Sequence, residues 1–288
     1  MIDFLRLLRP KQLVKNLLIF APLLFAFKFE SASVWQAVSA FLAFSLFASA
    51  IYVLNDIFDF RRDRFHPTKK FRPIAAKKIK VWQAFIFFAL LLVAGTALAT
   101  FVGVKVYYIC LFYLIINLFY TFGLKHLPIV DVMIISLGYV LRVIAGALAI
   151  NVSASHWLLL CTFFISLFLA FGKRKNEMLI LSEENKAHRR SISEYTESFI
   201  DQMLALTAGI SVVFYALYTI DPATVAHFQT DRLIYTTPLV VFGIFRYFHL
   251  IYNRSDGGDP VQVILGDKQL IMTFVFWLGA IALIYSYH

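Results

Sequence analysis

The sequence predicts an all-α integral membrane protein: nine transmembrane helices in one domain, residues 1–288, with its chemistry in charged loops on the cytosolic side. Three observations predict it. Of 288 residues, 60% are hydrophobic and 15% are charged, whereas a soluble domain carries about a quarter charged residues. Mean hydropathy is +0.75, and the apolar excess is spread along the chain, so one terminal anchor does not explain it. The apolar runs also recur at about the 20-residue length that a bilayer core demands.

Taken in order, the expected spans are residues 13–29, 34–55, 81–102, 105–123, 129–150, 156–172, 199–220, 233–252 and 268–287. The first carries Lys15 and Asn16 near its start and shows no small-residue cleavage site, so it reads as a retained span, not a removed leader. The break at 103–105, Gly-Val-Lys, predicts a tight helical hairpin, and the break after 123 is also short. Cys110 and Cys161 both fall in apolar runs and read as small buried hydrophobes.

The net charge of +10 is distributed unevenly. Loops 56–80, 124–128, 173–198 and 253–267, with the N-terminal segment, hold nearly all the cations. The alternate set holds Lys28, Lys105 and Arg232. Basic residues mark the cytosol, so the N-terminus and these loops are expected on the cytosolic side of the cytoplasmic membrane and the C-terminus outside. Orientation and phosphate chemistry account for the charge, which leaves no call for nucleic acid as a partner. Arg142 and Arg246 lie in or near apolar spans, where a charge is costly and therefore a functional candidate. Snorkelling to the interface is the alternative for both.

Span two runs into Asn55-Asp56-Ile57-Phe58-Asp59-Phe60-Arg61-Arg62-Asp63-Arg64. On a continuing helix, Asp56, Asp59 and Asp63 fall at i, i+3 and i+7 and share a face. Stacked carboxylates repel unless a cation sits among them. Hard oxygen ligands at a membrane surface suit Mg2+, which binds through one or two carboxylates plus substrate phosphates. The alternative is a solvated helix end paired with its own arginines. Arg64, His66, Lys69 and Arg72 follow, as a metal–diphosphate complex requires. Pro67 and Pro73 stiffen the loop.

An Asn-Asp-x-x-Asp-x-x-x-Asp motif after the second of nine spans resembles the first aspartate-rich motif of the UbiA superfamily of intramembrane prenyltransferases. The resemblance implies Mg2+ and a diphosphate at this motif. It also implies a helical bundle around a lipid-accessible cavity, capped by cytosolic loops. Typical members carry a second aspartate-rich motif after span six. Here that place reads Gly172-Lys173-Arg174-Lys175-Asn176-Glu177, mostly cationic.

This departure resembles one branch of the superfamily, the decaprenyl-phosphate phosphoribosyltransferases. The similarity runs through Arg9 to Asn16, Asn55 to Ala75, Leu124-Lys125-His126, Asp131, Leu141 to Gly146, Gly172 to Arg174 and Glu177. It continues through Arg190, Ser193 to Thr196, Arg246-Tyr247 and Asp256 to Pro260. It implies transfer of 5-phosphoribose from phosphoribosyl pyrophosphate to a polyprenyl phosphate, releasing pyrophosphate and supplying a lipid-linked pentose for cell-envelope glycan synthesis. On that reading Asn55, Asp56, Asp59 and Asp63 hold Mg2+ on the diphosphate, and Arg64, Lys69 and Arg72 assist. Lys173 and Arg174 bind the 5-phosphate, with Glu177 orienting them or taking a ribose hydroxyl. Lys11, Lys15 and Arg142 place the acceptor phosphate. Lys125, His66, Arg190, Tyr195 and Arg246 are further substrate candidates, and Asp256 and Asp259 form an acidic loop or a plain turn. The 31 phenylalanines suit an isoprenoid tail and equally suit contact with membrane lipids. The resemblance also leaves a homo-oligomer open.

Two other functions fit parts of the pattern. A prenyltransferase acting on an aromatic acceptor fits the acidic motif but not the basic second site. A transporter or anionic-lipid binder fits the basic loops, but clustered aspartates would weaken it.

Overall fold

The structure, a computed structural model, describes residues 2–65, 69–184, 194–253 and 260–286. Among them there is no strand. The helices are α1 (Ile2–Leu7), α2 (Ala21–Phe25), α3 (Ser31–Asp63), α4 (Val81–Val102), α5 (Val104–Phe122), α6 (Val130–Ala149) and α7 (His156–Glu184). They continue as α8 (Glu197–Ile220), α9 (Pro222–Phe228), α10 (Thr237–Asn253), α11 (Pro260–Gly266) and α12 (Lys268–Ser286). Eight described helical segments are long and apolar enough to cross a membrane. They match the expected spans from the second onward.

The first expected span is a correction. Residues 13–29 form no unbroken α-helix. A 3-10 helix, Pro10–Phe20, runs into the short α2. Pro10 and Pro22 each remove a backbone donor. Asn16 turns inward to donate to Ser45 Oγ at 2.9 Å. At a 2.0 Å rise per residue the 3-10 segment covers about 22 Å, and α2 adds about 8 Å. The pair thus reaches nearly the depth of a bilayer core without being a standard span. The other correction concerns loop limits. The segments expected as loops 56–80 and 173–198 begin as helix, because α3 continues to Asp63 and α7 to Glu184.

The chain divides into two compact units. The first comprises Met1–Gly123 and Leu141–Ala154. Its inner helix is α3, whose most apolar window is 67% buried, against 17% for α4. Ala37, Ala40, Ala43, Ser49 and Ala50 keep α3 thin enough to be enclosed. Phe85, Ile86, Leu90 and Val93 leave the outer side of α4 apolar and exposed, as a lipid-facing helix requires. Gly103 alone separates α4 from α5, the tight hairpin that the sequence predicts.

The second unit comprises Leu124–Val140 and Ser155–His288. Its core joins Phe168 and Phe171 of α7, Ile200 and Leu204 of α8, and Ile244, Tyr247 and Ile251 of α10. Thr196 caps α8 by accepting a hydrogen bond from the Phe199 amide, the usual remedy for unpaired first-turn donors. The exposed Phe274, Val275 and Phe276 make α12 an outer helix.

Candidate functional site

In the first unit the acidic motif sits on a helix that outruns the membrane. α3 has 33 residues, about 50 Å of helix against about 30 Å of hydrocarbon. Its apolar stretch ends at Leu54, and the following turns carry the motif. Asp56 and Asp63 are buried, at 2% and 5% exposure, and Asp59 is half-buried. Asn55 Oδ1 accepts from Thr121 Oγ1 at 2.6 Å, tying the motif to α5.

Two arginines neutralise the buried carboxylates. Arg72 Nη1 donates to Asp56 Oδ1 at 3.1 Å and to Asp63 Oδ2 at 2.6 Å. Arg9 Nη2 donates to the same Asp56 oxygen. The Arg9 guanidinium also lies 5.0 Å from the centroid of the Tyr52 ring, within cation–π range.

Both arginines come from segments rooted in one apolar cluster. Leu7, Ile74 and Ile79 pack with Ala50 and Val53 of α3 and with Ala84 and Leu91 of α4. Leu8 O accepts from Ser49 Oγ at 3.1 Å. Arg9 follows this anchor with φ 51° and ψ 62°. That left-handed conformation costs roughly 1–2 kcal/mol for a residue with a Cβ, and it aims the side chain at Asp56.

The donor set fits a hard divalent cation. Two carboxylate oxygens that reach one guanidinium nitrogen can also reach one ion. Among the described residues no three His, Cys, Asp or Glu side chains converge. Mg2+ needs only one or two carboxylates when substrate phosphates and water complete its shell.

Arg142 does not snorkel. It is buried, donating from Nε to Asn16 Oδ1 at 2.7 Å and from Nη2 to Tyr113 OH at 3.1 Å. Its guanidinium lies 5.0 Å from each of the Phe44 and Tyr113 ring centroids. Arg142 therefore ties the 3-10 segment to α3, α5 and α6. This differs from the expected role as an acceptor-phosphate ligand.

In the second unit, Lys173, Arg174 and Glu177 lie on the extension of α7. Arg174 is fully buried. Its Nε lies 3.0 Å from Asp131 Oδ2, and Nη1 donates to Glu177 Oε2. Tyr195 OH donates to Asp131 Oδ1 at 2.9 Å and accepts from the Ile129 amide. Burial pushes the Tyr195 phenol above its ordinary pKa, so it remains a donor. Arg174, expected as an anion ligand, is thus matched by two carboxylates, and Lys173, next to it in the chain, is half-buried.

Lys175 is equally enclosed. It donates to Glu197 Oε1 at 2.6 Å and pairs with Asp201 Oδ1 at 2.9 Å. Tyr252 OH donates to that same Asp201 oxygen. Arg246 makes a two-pronged pair with Asp267, at 3.2 and 2.8 Å. Asp267 also caps α12 through the Leu270 amide. An open furrow of about 470 Å3 between α7 and α8 is lined by Phe164, Leu206 and Val213 among other apolar residues. It offers nothing to a phosphate.

Of the other expected site residues, Lys11, Arg64 and Lys69 are exposed, and Lys15 and Lys125 are half-buried. Arg64 lies over the Phe60 ring at 5.1 Å. His66, Arg190, Asp256 and Asp259 lie outside the described residues. Arg9 and Lys175 were not expected at a site, since their carboxylate partners are 47, 22 and 26 residues away. The hint to Arg9 in the sequence is its place at the head of the Arg9 to Asn16 stretch of family similarity.

Residues 17–277 match the UbiA prenyltransferase family. The chain belongs to that family. It is 36% identical over 288 residues to the decaprenyl-phosphate phosphoribosyltransferase of Mycolicibacterium smegmatis, covering 96% of this chain and 90% of that protein. It is also 36% identical over 295 residues to the Corynebacterium glutamicum protein of the same name, covering 97% and 85%. A UbiA homolog from Archaeoglobus fulgidus, solved bound to GPP and Mg2+, superposes with a TM-score of 0.74 at 19% identity over 99% of each chain. At that identity the match shows the shared fold: a UbiA-type, multi-pass membrane bundle.

Proposed function

We propose that this UbiA-family chain is a transferase acting on a polyprenyl phosphate, to which it moves 5-phosphoribose from phosphoribosyl pyrophosphate with release of pyrophosphate. The observation that carries the reading is similarity along almost the whole chain to two proteins named decaprenyl-phosphate phosphoribosyltransferase. The buried Asp56–Asp63 pair supports it chemically.

Asp56 and Asp63, with Asp59 and Asn55 beside them, would hold Mg2+. When bound, Mg2+ supplies positive charge to the diphosphate oxygens and eases their departure from C1. Arg72, with Lys69 and Arg64 nearby in sequence, adds charge at the leaving group. The C1–O bond to the diphosphate breaks as an acceptor phosphate oxygen bonds to C1. That oxygen is already anionic near neutral pH, so no side chain has to remove a proton. Lys173 is assigned to the 5-phosphate, with Arg174 next in the chain held by Asp131. Lys11, Lys15 and Lys125 are assigned to the acceptor phosphate.

The charge asymmetry supports a cytosolic N-terminus and cytosolic basic loops in the cytoplasmic membrane. The product would be a lipid-linked pentose for envelope glycan synthesis. Mass spectrometry of purified protein incubated with Mg2+, phosphoribosyl pyrophosphate and polyprenyl phosphates of graded length tests the reading. A phosphoribosylated lipid is expected. No such product, with transfer from a prenyl diphosphate instead, would overturn it.

A further inference from the structure

The side chains of Asp56 and Asp63 are 3% and 6% exposed, whereas those of Arg9 and Arg72 are 24% and 25% exposed. The carboxylates are covered, and the arginine side chains are the more exposed partners. One nitrogen of Arg72 spans both aspartates, and Arg9 shares an Asp56 oxygen. Two positive charges therefore already balance two buried negative ones, on oxygens that a metal would need.

This arrangement treats a lone metal ion and a metal–diphosphate complex differently. A divalent cation arriving alone must displace a guanidinium from a short ionic hydrogen bond. The displaced arginine, still charged, then faces the metal across a covered site. A complex arriving with its diphosphate brings anionic oxygens that guanidinium groups bind in forked, charge-assisted pairs. Each arginine then exchanges a carboxylate for a phosphate, and no charge is left unmatched. The backbone need not move. Arg9 is rooted by Leu7 and by the Leu8 carbonyl, and Arg72 by Ile74, so rotation of the two side chains suffices.

We propose that Arg9 and Arg72 are place-holding cations that keep Asp56 and Asp63 together in the free enzyme and move onto the donor diphosphate when metal and diphosphate enter together. Arg9 is thereby a substrate contact, and the site rejects metal alone. The proposal rests on the reading that this pair takes Mg2+ with a diphosphate, and adds the order of events and the role of Arg9.

The test is equilibrium dialysis of the full-length protein at fixed free Mn2+, with and without pyrophosphate. In wild type, pyrophosphate should raise Mn2+ affinity by about 30-fold or more, and Mn2+ should raise pyrophosphate affinity equally, because coupling is reciprocal. Arg72→Gln and Arg9→Gln should each bind Mn2+ alone about fivefold tighter than wild type, with the coupling cut about tenfold. A purely structural role predicts weaker or unchanged metal binding in these variants. Arg72→Lys, which keeps the charge, should behave nearer wild type. If Arg72→Gln does not fold, Arg9→Gln carries the test. The proposal is overturned if the glutamine variants bind Mn2+ alone no tighter than wild type while wild type still shows coupling. The underlying metal reading fails instead if wild type takes up no Mn2+ with pyrophosphate, or if Asp56→Asn leaves uptake unchanged.

Discussion

Arg174 Nε lies 3.0 Å from Asp131 Oδ2, with at most 1% of either side chain exposed. Removing Asp131 leaves buried Arg174 with only Glu177 of these two carboxylates and takes the acceptor from Tyr195 OH; losing one partner of a buried pair costs up to about 3–5 kcal/mol. Asp131→Asn should therefore lower the unfolding temperature in detergent markedly. An Asp131→Leu/Arg174→Met double variant should recover much of that loss, since a well-packed apolar substitute for a buried pair is often neutral or stabilising. Thermal unfolding of the three proteins side by side checks this.

Lys173, half-buried and next to Arg174 in the chain, is assigned to the donor 5-phosphate. Lys173→Ala should raise the KM for phosphoribosyl pyrophosphate about tenfold, the effect of losing roughly 1.4 kcal/mol of binding. An unchanged donor KM would sink the assignment.

Asp56 and Asp63 have no substitute as buried acceptors at the end of α3. Asp56→Asn or Asp63→Asn should reduce phosphoribosyl transfer by about 100-fold or more, the scale on which one lost charge-stabilising group acts. Chelation with EDTA should abolish wild-type transfer and added Mg2+ should restore it. Near wild-type rates in either variant would remove the carboxylates from the mechanism.

Two glycines separate close packing from helix propensity. A Cβ at Gly146 would stand 2.0 Å from the Ile19 carbonyl oxygen, whereas one at Gly209 meets nothing within 4 Å. Gly146→Ala should push the 3-10 segment off α6 and cost roughly 1–3 kcal/mol or more. Gly209→Ala, inside α8, should be neutral or stabilising by up to about 1 kcal/mol. Melting temperatures in one detergent distinguish the two.

The sidedness drawn from the cations is tested by cysteine labelling. Cysteines at Lys70 or Lys125 should react with a membrane-impermeant maleimide only from the cytosolic face. Cysteines at Lys105 or Arg232 should react only from the opposite face. The reverse pattern, or labelling of both sets from one side, would reject the orientation.

Much of this protein is legible in its sequence alone. Apolar runs of span length, separated by short charged breaks, determine an α-helical membrane fold because hydrocarbon leaves backbone groups no partner but their own helix. The spacing of Asp56, Asp59 and Asp63 is local and helical, so the acidic motif was visible as well. The first expected span is not an unbroken α-helix, because hydropathy registers apolar content and not whether Pro10, Asn16 and Pro22 permit one. The cations were the harder part. A charge in the sequence carries no sign of whether it is open or already matched. Only tertiary packing decided that Arg9 and Arg72 meet Asp56, and that Arg174 is enclosed with Asp131. Those pairings join residues 16 to 47 positions apart, and it is burial of the intervening apolar side chains that fixes which charges meet.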